Sequence, residues 1–528
     1  MFKILISDKL EKEGLDILTA EKNFQVDCKF GIKADELKSI ISDYDALIVR
    51  SGTQVTADIL ESANKLKVIG RAGVGLDNVD LPAATKKGVV AMNTPAGNTT
   101  STAEHTMSMI MALSRNIPQA VASVKASKWE RAKFTGVELY GKTLGIIGLG
   151  RIGSTVAKMA QGFGMTIIGY DPFLPAEIAR KNGIEAVSLE TIYKTADYIT
   201  VHIPKTDETT GMIGDKEIAL MKKSVRLINC ARGGIIDEQA LLTALKDKRI
   251  AGAAMDVYDV EPPDFSSELF KLDNCVTTPH LGASTTEAQV NVAIEIAQAV
   301  RDALTGKGIR NAANFPSLSA EAHKALEPYI DLGEKMGKFA GQLAQGAVKS
   351  VTVTYSGAPT QHKVAAVTMA LAKGLLTPML GETVNTINAV NMMKDRGINL
   401  QEIISNQVEE YVNRIALDIV TDKETLSVWG TLTSNNQPRI VKINNVYVEA
   451  NPSGHILFIL NNDQPGIVGA VGMVLGTEAI NIASITFGRE KQGGLATSVV
   501  NVDSEIPDAV VEKLRKTKNI LFVKTIKV

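Results

Sequence analysis

Cysteine is scarce. The 528-residue chain holds three, Cys28, Cys230 and Cys275, far apart and with no CxxC or Cys/His spacing, so neither a disulfide framework nor a zinc site is expected. That fits a reducing, cytoplasmic setting. Net charge is nearly absent as well: 57 basic residues against 58 acidic ones leave −1, which provides no field to gather a polyanion, and nucleic acid is not an expected partner. No run approaches the ~18 apolar residues of a membrane span. The N-terminus, Met1-Phe-Lys-Ile-Leu-Ile-Ser-Asp-Lys9, has neither the apolar region nor the cleavage site of a secretory leader.

What the chain does have is length and rhythm. A single core stops growing well below this size, so three or four units are expected. From Met1 to about Leu281, short apolar runs alternate with amphipathic ones. Phe2 to Ser7, Ala46 to Arg50, Lys67 to Gly70, Gly88 to Asn93, Thr143 to Gly148, Thr166 to Tyr170, Tyr198 to Ile203, Arg226 to Cys230 and Gly252 to Asp256 read as buried strands of two parallel α/β sheets. Thr94-Pro-Ala-Gly-Asn98 is the expected seam, leading into Ser101-Thr-Ala-Glu104, which fits a capping box. Thr285 to Leu304 reads as a helix, and Asn314-Phe-Pro-Ser317 as a linker. Beyond Ser350 the period drops to two: Val351, Val353 and Tyr355 alternate, and Asn444-Asn445 fits a hairpin turn. His455 to Val528 reads as a ferredoxin-like βαββαβ unit.

Gly148-Leu-Gly150-Arg151-Ile152-Gly153 follows the apolar strand Leu144 to Ile147 and opens a helix-compatible run. Gly148 permits the tight turn, Gly150 lets backbone approach a pyrophosphate, and Gly153 lets helix and strand pack closely. The phosphates would meet the helix N-terminus. A lone GxGxxG is weak evidence, but Asp171 ends the next strand at the expected distance. It would accept from an adenosine ribose and repel a 2′-phosphate, which favours NAD over NADP.

Three strand ends supply chemistry to one crevice. His280 stands in Thr278-Pro-His-Leu-Gly-Ala283, Arg232 in Asn229-Cys-Ala-Arg-Gly-Gly234, and Glu261 in Asp259-Val-Glu-Pro-Pro263. Oxidising a 2-hydroxy acid needs a base for the hydroxyl proton. It also needs a cation to fork the carboxylate and steady the carbonyl oxygen, and a carboxylate to orient the base. Each residue alone has an ordinary structural explanation; the combination below a nucleotide loop does not.

These motifs, with Ala254-Met-Asp-Val257, closely resemble the D-2-hydroxyacid dehydrogenase family from about Lys3 to Asn314. The resemblance implies that Arg232 binds substrate, Glu261 backs the histidine, His280 is the acid/base and Asp256 lies near the nicotinamide carboxamide. Cys230, Ala231, Gly282 and Ala283 join the glycine loop and Asp171 as expected cofactor contacts. It also implies a discontinuous, flavodoxin-like substrate domain, 1–97 with 284–314, around a Rossmann-type NAD domain, 98–283. An α+β intervening domain, 315–452, and an ACT domain, 453–528, would follow.

Arg50, Ser51, Gly52, Arg71, Gly73, Val74 and Gly75 lie at outer-domain strand ends, where backbone N–H groups can form an anion nest. Arg71-Ala-Gly-Val-Gly-Leu-Asp-Asn-Val79 and Trp129-Glu-Arg131-Ala-Lys133 resemble the segments with which phosphoglycerate dehydrogenases bind the substrate phosphate, partly across a subunit boundary. The implied substrate is therefore D-3-phosphoglycerate and the implied assembly a homodimer or homotetramer. Val390-Asn-Met-Met-Lys-Asp-Arg-Gly397 is similar to the intervening domain of the long forms, and Asp463-Gln-Pro-Gly-Ile-Val468 with Ile480-Asn-Ile482 to an ACT domain. That implies L-serine as an effector near Asn461, Asp463 and Asn481, although many serine-sensitive relatives carry His or Tyr at Asn461. A glyoxylate or other 2-keto acid reductase fits the core equally well but leaves the C-terminal half unexplained. A non-catalytic NAD and amino-acid sensor is the third reading; Arg232, Glu261 and His280 speak against it.

Overall fold

The computed structural model describes residues 1–316, 318, 320–407 and 410–528. The first sheet is parallel, in the order β2-β1-β3-β4-β5, and comprises β1 (Phe2–Ile6), β2 (Phe24–Cys28), β3 (Ala46–Val49), β4 (Val68–Arg71) and β5 (Val90–Met92). This is the flavodoxin-type order. Ile4, Leu5 and Ile6 are fully buried, as expected for a parallel strand covered on both faces. β2 is absent from the sequence expectations because it is a half-exposed edge: Gln25 and Asp27 break its apolar run, and Asp27 accepts a hydrogen bond from the Tyr44 hydroxyl.

The helix Thr286–Leu304 returns the chain to this sheet, and its Val292, Ile296 and Val300 share a core with Ile4, Ile6, Val68 and Met92. Gly70 makes the contact close, since a Cβ there would stand 2.7 Å from a Val300 methyl. Asn314, expected in a linker, is instead a tie: its side chain accepts from Ala91 N at 2.9 Å and donates to Val89 O at 2.8 Å. Ser317, the last residue of that expected linker, lies outside the described residues.

The second sheet is also parallel, in the order β12-β11-β10-β9-β6-β7-β8. Its strands are β6 (Thr143–Ile147), β7 (Thr166–Tyr170), β8 (Glu185–Ala186), β9 (Tyr198–Val201), β10 (Arg226–Asn229), β11 (Gly252–Met255) and β12 (Cys275–Thr277). Strand order reverses between β6 and β9, and a crevice opens there beyond the strands' carboxyl ends. The helix Thr99–Arg115 links the two sheets and corrects one expectation, because it begins at Thr99 and Ser101 is not its cap. Ser101 is buried inside the first turn and donates instead to Gly282 O at 2.7 Å.

The third sheet runs β14-β13-β15-β16-β17-β18, with β13 (Val348–Ser356), β14 (Asn399–Ser405), β15 (Arg414–Thr421), β16 (Thr425–Leu432), β17 (Pro438–Ile443) and β18 (Val446–Ala450). Asn444, at φ 50°, makes the expected hairpin turn. The helices Ala320–Leu343 and Ala365–Leu380 lie against each other where Gly337 meets the Leu371 carbonyl and Gly374 the Glu334 carbonyl, with no room for a Cβ at either glycine. A short segment of this unit docks on the first sheet's domain: Asn385 donates to Gly88 O at 3.1 Å, and Ile387 enters the core around Ile4.

The last sheet is antiparallel, β20-β21-β19-β22, from β19 (His455–Asn462), β20 (Ile482–Arg489), β21 (Leu495–Val502) and β22 (Ile520–Lys527). With the helices Ile467–Thr477 and Asp508–Arg515 it gives the expected βαββαβ order. Leu457 and Ile459 face those helices. Ile456 and Phe458, one residue out of phase, join Val499 and Ile526 in a core shared with Met336, Phe339 and Val428 of the preceding unit. The two C-terminal units therefore share one interior. Ending the chain at Ala450 strips four core side chains from it, each contributing roughly 1.5–3 kcal/mol of burial. The shortened chain is expected to melt lower than the full chain and to bind a hydrophobic dye; an unchanged melting temperature would show that the units fold independently.

Candidate active site

Asp256, immediately after β11, is fully buried. Its carboxylate accepts from Thr278 Oγ1 at 2.6 Å, Leu281 N at 2.7 Å and Gly282 N at 2.9 Å, and His105 Nε2 lies 3.1 Å away. Burial raises its pKa, but the hydrogen bonds from His105, Thr278 and Leu281 outweigh that and hold it below the usual carboxylate value. These bonds shape the loop that presents His280, whose own backbone is left-handed at φ 55°. That conformation costs a non-glycine residue roughly 1–2 kcal/mol. His280 Nδ1 meets Glu261 Oε2 at 2.6 Å, and Glu261 Oε1 accepts from Tyr258 N at 3.1 Å. Tyr258 in turn donates its hydroxyl to Thr278 O at 2.9 Å. With Nδ1 committed to Glu261, Nε2 is the ring nitrogen left for the crevice.

A cavity of about 730 Å³ opens beside His280 and Glu261 and is lined by Arg50, Arg71 and Arg232. Three guanidiniums there repel one another. Burial, with Arg232 and Arg50 nearby, lowers the Arg71 pKa to about 10, so its charge persists at neutral pH. Ser51, Gly73, Val74 and Gly75 line the same space, whereas Gly52 packs against the Asp8 carboxylate. Arg232 donates Nε to Asp77 Oδ2 at 3.2 Å across the crevice. Residues outside the expected set shape this wall: Asp8 accepts from Arg50 N and Thr53 N, and Asn78 donates to Arg50 O and Thr53 O. Asn78 lies within the segment Arg71 to Val79 but is not singled out there, and nothing in the sequence context of Asp8 separates it from an ordinary loop residue.

A neighbouring cavity of about 410 Å³ shares Arg232, His280 and Ala283 and adds Ile152, Cys230, Ala231 and Gly282. The glycine loop fits a dinucleotide. Gly148 has φ 95°, a Cβ on Gly153 would run into the Gly148 carbonyl, and the space over Gly150 is open. The helix Arg151–Gly162 starts with no side-chain cap, leaving its N-terminus for phosphate. Asp171 Oδ2 accepts from Leu149 N and Oδ1 from Phe173 N, both at 2.8 Å, so the acidic residue also braces the loop. His202, another residue of this cavity, is lowered by burial to about 4 and is neutral.

His105, Cys230 and Asp256 bring potential metal-ligand atoms within 4.8 Å of one another. Asp256 already accepts from protein donors, and burial beside Asp256 pushes the Cys230 thiol up to about 12. This is the chemistry of a hydrogen-bonded core rather than of a thiolate ligand. Asp256, expected beside the nicotinamide, also holds the His280 loop through Leu281 N and Gly282 N.

Some expected residues do not join the crevice. Arg131 and Lys133, in the exposed turn Arg131–Phe134, line neither cavity of their own chain. In the last unit, Asp463 already accepts from Arg489 Nη1 and Gly493 N, both at 3.0 Å, and Asn481 donates to Asp503 at 2.6 Å. Asn461 is fully buried; its Nδ2 donates to Asn462 O at 2.8 Å and its Oδ1 has no partner.

Fold and site together define an NAD-dependent oxidoreductase of the D-isomer-specific 2-hydroxyacid dehydrogenase class. Residues 107–282 match the NAD-binding domain of that class, residues 325–444 the D-3-phosphoglycerate dehydrogenase intervening domain, and residues 455–519 the ACT domain. The chain is 44% identical over 527 residues to D-3-phosphoglycerate dehydrogenase of Methanocaldococcus jannaschii, covering 100% of both. It is 43% identical over 528 residues to the Synechocystis sp. enzyme of that name, covering 100% of this chain and 95% of the relative. Among solved structures, the D-lactate dehydrogenase of Aquifex aeolicus complexed with NAD and lactic acid matches with a TM-score of 0.54 and 28% identity, over 60% of this chain and 100% of that one. The chain belongs to the D-3-phosphoglycerate dehydrogenase family.

The thiols give a direct check on the packing around Asp256. Cys28 is exposed, whereas Cys230 and Cys275 are buried and both pushed up to about 12. A chromogenic disulfide reagent at mildly alkaline pH is expected to titrate Cys28 alone in the native chain and all three cysteines after denaturation. Rapid native labelling of Cys230 would contradict the packing described.

Proposed function

We propose that this enzyme interconverts D-3-phosphoglycerate and 3-phosphohydroxypyruvate, the entry reaction to serine synthesis. The observation that carries this reading is the gathering of Arg50, Arg71 and Arg232 in one cavity beside His280 and Glu261. A simple 2-hydroxy acid carries one anionic group; the cavity offers cations for two. Arg232 forks the carboxylate and steadies the oxygen on C2. Arg50 and Arg71, with the backbone of Ser51, Gly73, Val74 and Gly75, take the phosphate, and the Arg232–Asp77 pair opens as the substrate carboxylate replaces Asp77. In the oxidising direction His280 Nε2 takes the hydroxyl proton as C2 gives up hydride, and Glu261 stabilises the imidazolium. The bound NAD supplies the hydride acceptor. Gly148, Gly150, Arg151, Ile152 and Gly153 would hold its pyrophosphate and Asp171 its ribose, and Cys230, Ala231, Gly282 and Ala283 would border its nicotinamide end.

Arg131 and Lys133 act in this reading across a subunit boundary of a homodimer or homotetramer. The helix Ile117–Lys125 beside them supports it, because Ile117, Val121 and Val124 are exposed, as is Trp129 at 81%. L-serine is the effector of the last unit, near Asp463 and Asn481, where its ammonium group would take the place of Arg489. Calorimetry is expected to show serine binding to the full chain and kinetics to show inhibition; no heat and no inhibition would remove serine from the account.

The test of the reaction is NADH consumption with 3-phosphohydroxypyruvate, pyruvate and glyoxylate offered in parallel. Each charge-assisted hydrogen bond to phosphate is worth roughly 1.5–3 kcal/mol. With two guanidiniums on the phosphate, the phosphorylated acid is therefore expected to lead in kcat/KM by at least about 100-fold. Equal values for all three would make the enzyme a general 2-keto acid reductase.

A further inference from the structure

His105 belongs to none of the motifs and lines neither cavity described above. It sits on the helix Thr99–Arg115, which leaves the seam between the first two sheets, and its Nε2 reaches Asp256 Oδ1 at 3.1 Å and Thr278 Oγ1 at 3.3 Å. The same helix grips the His280 loop a turn earlier: Ser101 Oγ and Thr102 Oγ1 donate to Gly282 O at 2.7 and 3.1 Å. Residues 101, 102 and 105 share one helix face. They meet the loop at Gly282 O directly, and at Leu281 N and Gly282 N through the Asp256 carboxylate.

We propose that His105 is a positioning residue for the acid/base: by fixing Asp256 it fixes the Leu281–Gly282 backbone, and so holds the left-handed His280 with its ring on Glu261. The site thus contains two histidine–carboxylate pairs with different tasks. His280 and Glu261 face the cavity where substrate reacts; His105 and Asp256 stand behind the loop and set its shape. Thr278 joins them, since its hydroxyl bonds Asp256 while its carbonyl accepts from Tyr258, whose backbone N–H holds Glu261. A loop tied to the seam helix keeps its aim relative to that helix when the domains move.

This inference rests on the reading of His280 as the acid/base, and the test separates the two. His105→Leu removes the donor and keeps comparable volume, whereas His105→Gln keeps an N–H at about the same reach. Misplacing a reacting group by about 1 Å can cost 10²-fold, so His105→Leu is expected to lower kcat roughly 10- to 100-fold, and His105→Gln to restore kcat to within about threefold of the parent. Amide exchange at Leu281 and Gly282 is expected to quicken in His105→Leu and not in His105→Gln. Should His105→Leu fail to fold, His105→Asn, whose amide stops one methylene short, replaces it with the same expected loss. Equal kcat for the Leu (or Asn) and Gln variants, or unchanged exchange at the two amides, would overturn the proposal. His280→Ala run alongside tests the reading beneath it: near-parental turnover there would sink the acid/base assignment itself, whatever His105 does.

Discussion

A carboxylate in the interior of a protein must be surrounded by donors or give up its charge, and Asp256 is the point on which this site turns. No water reaches it, yet a hydroxyl, two backbone N–H groups and an imidazole do, and together they keep its pKa low against the penalty of burial. Those donors come from the loop after β12 and from the seam helix. Satisfying one buried charge therefore draws separate parts of the chain into a single geometry. His280 inherits its place from that arrangement, and so does Glu261 through Tyr258.

Around this fixed point the crevice is built from charges that oppose one another. Arg71 is buried close to Arg232 and Arg50, so that burial first and those charges second lower its affinity for a proton, and Asp77 occupies Arg232. On the proposed function, an anionic ligand would relieve the repulsion and replace Asp77 on Arg232. The outer sheet supplies Arg50 and Arg71, and the second sheet supplies Arg232, Glu261 and His280, so a substrate with two anionic groups would bridge both. The outer domain also carries the weight of the C-terminal half, through Asn385 and Ile387.

Much of this was legible before any coordinates. Strands such as Ile4 to Ile6 and Leu144 to Ile147 could be read because parallel strands buried on both faces are uniformly apolar. The glycine loop could be read because its steric demands admit little else, as Gly153 against the Gly148 carbonyl shows. Arg232, Glu261 and His280 were found from the chemistry they share. β2 and β8 escaped because edge strands are half solvated, and Ser101 was misread because its hydroxyl serves a residue far along the chain. His105 escaped for the same reason: its partners lie just after β11 and just after β12, and local spacing carries no trace of them. The common core of the last two units was equally hidden, since alternation along β19 reveals two apolar faces without saying what covers each.

In the proposed reaction the crevice moves hydride between NAD and C2 of a phosphorylated 2-hydroxy acid while His280 moves the proton. The sharpest test is turnover of 3-phosphohydroxypyruvate with NADH that carries deuterium at both C4 positions. Deuterium is expected at C2 of a D-configured 3-phosphoglycerate product, with none exchanged from solvent water at that carbon. Product without deuterium at C2, or of the L configuration, would contradict it.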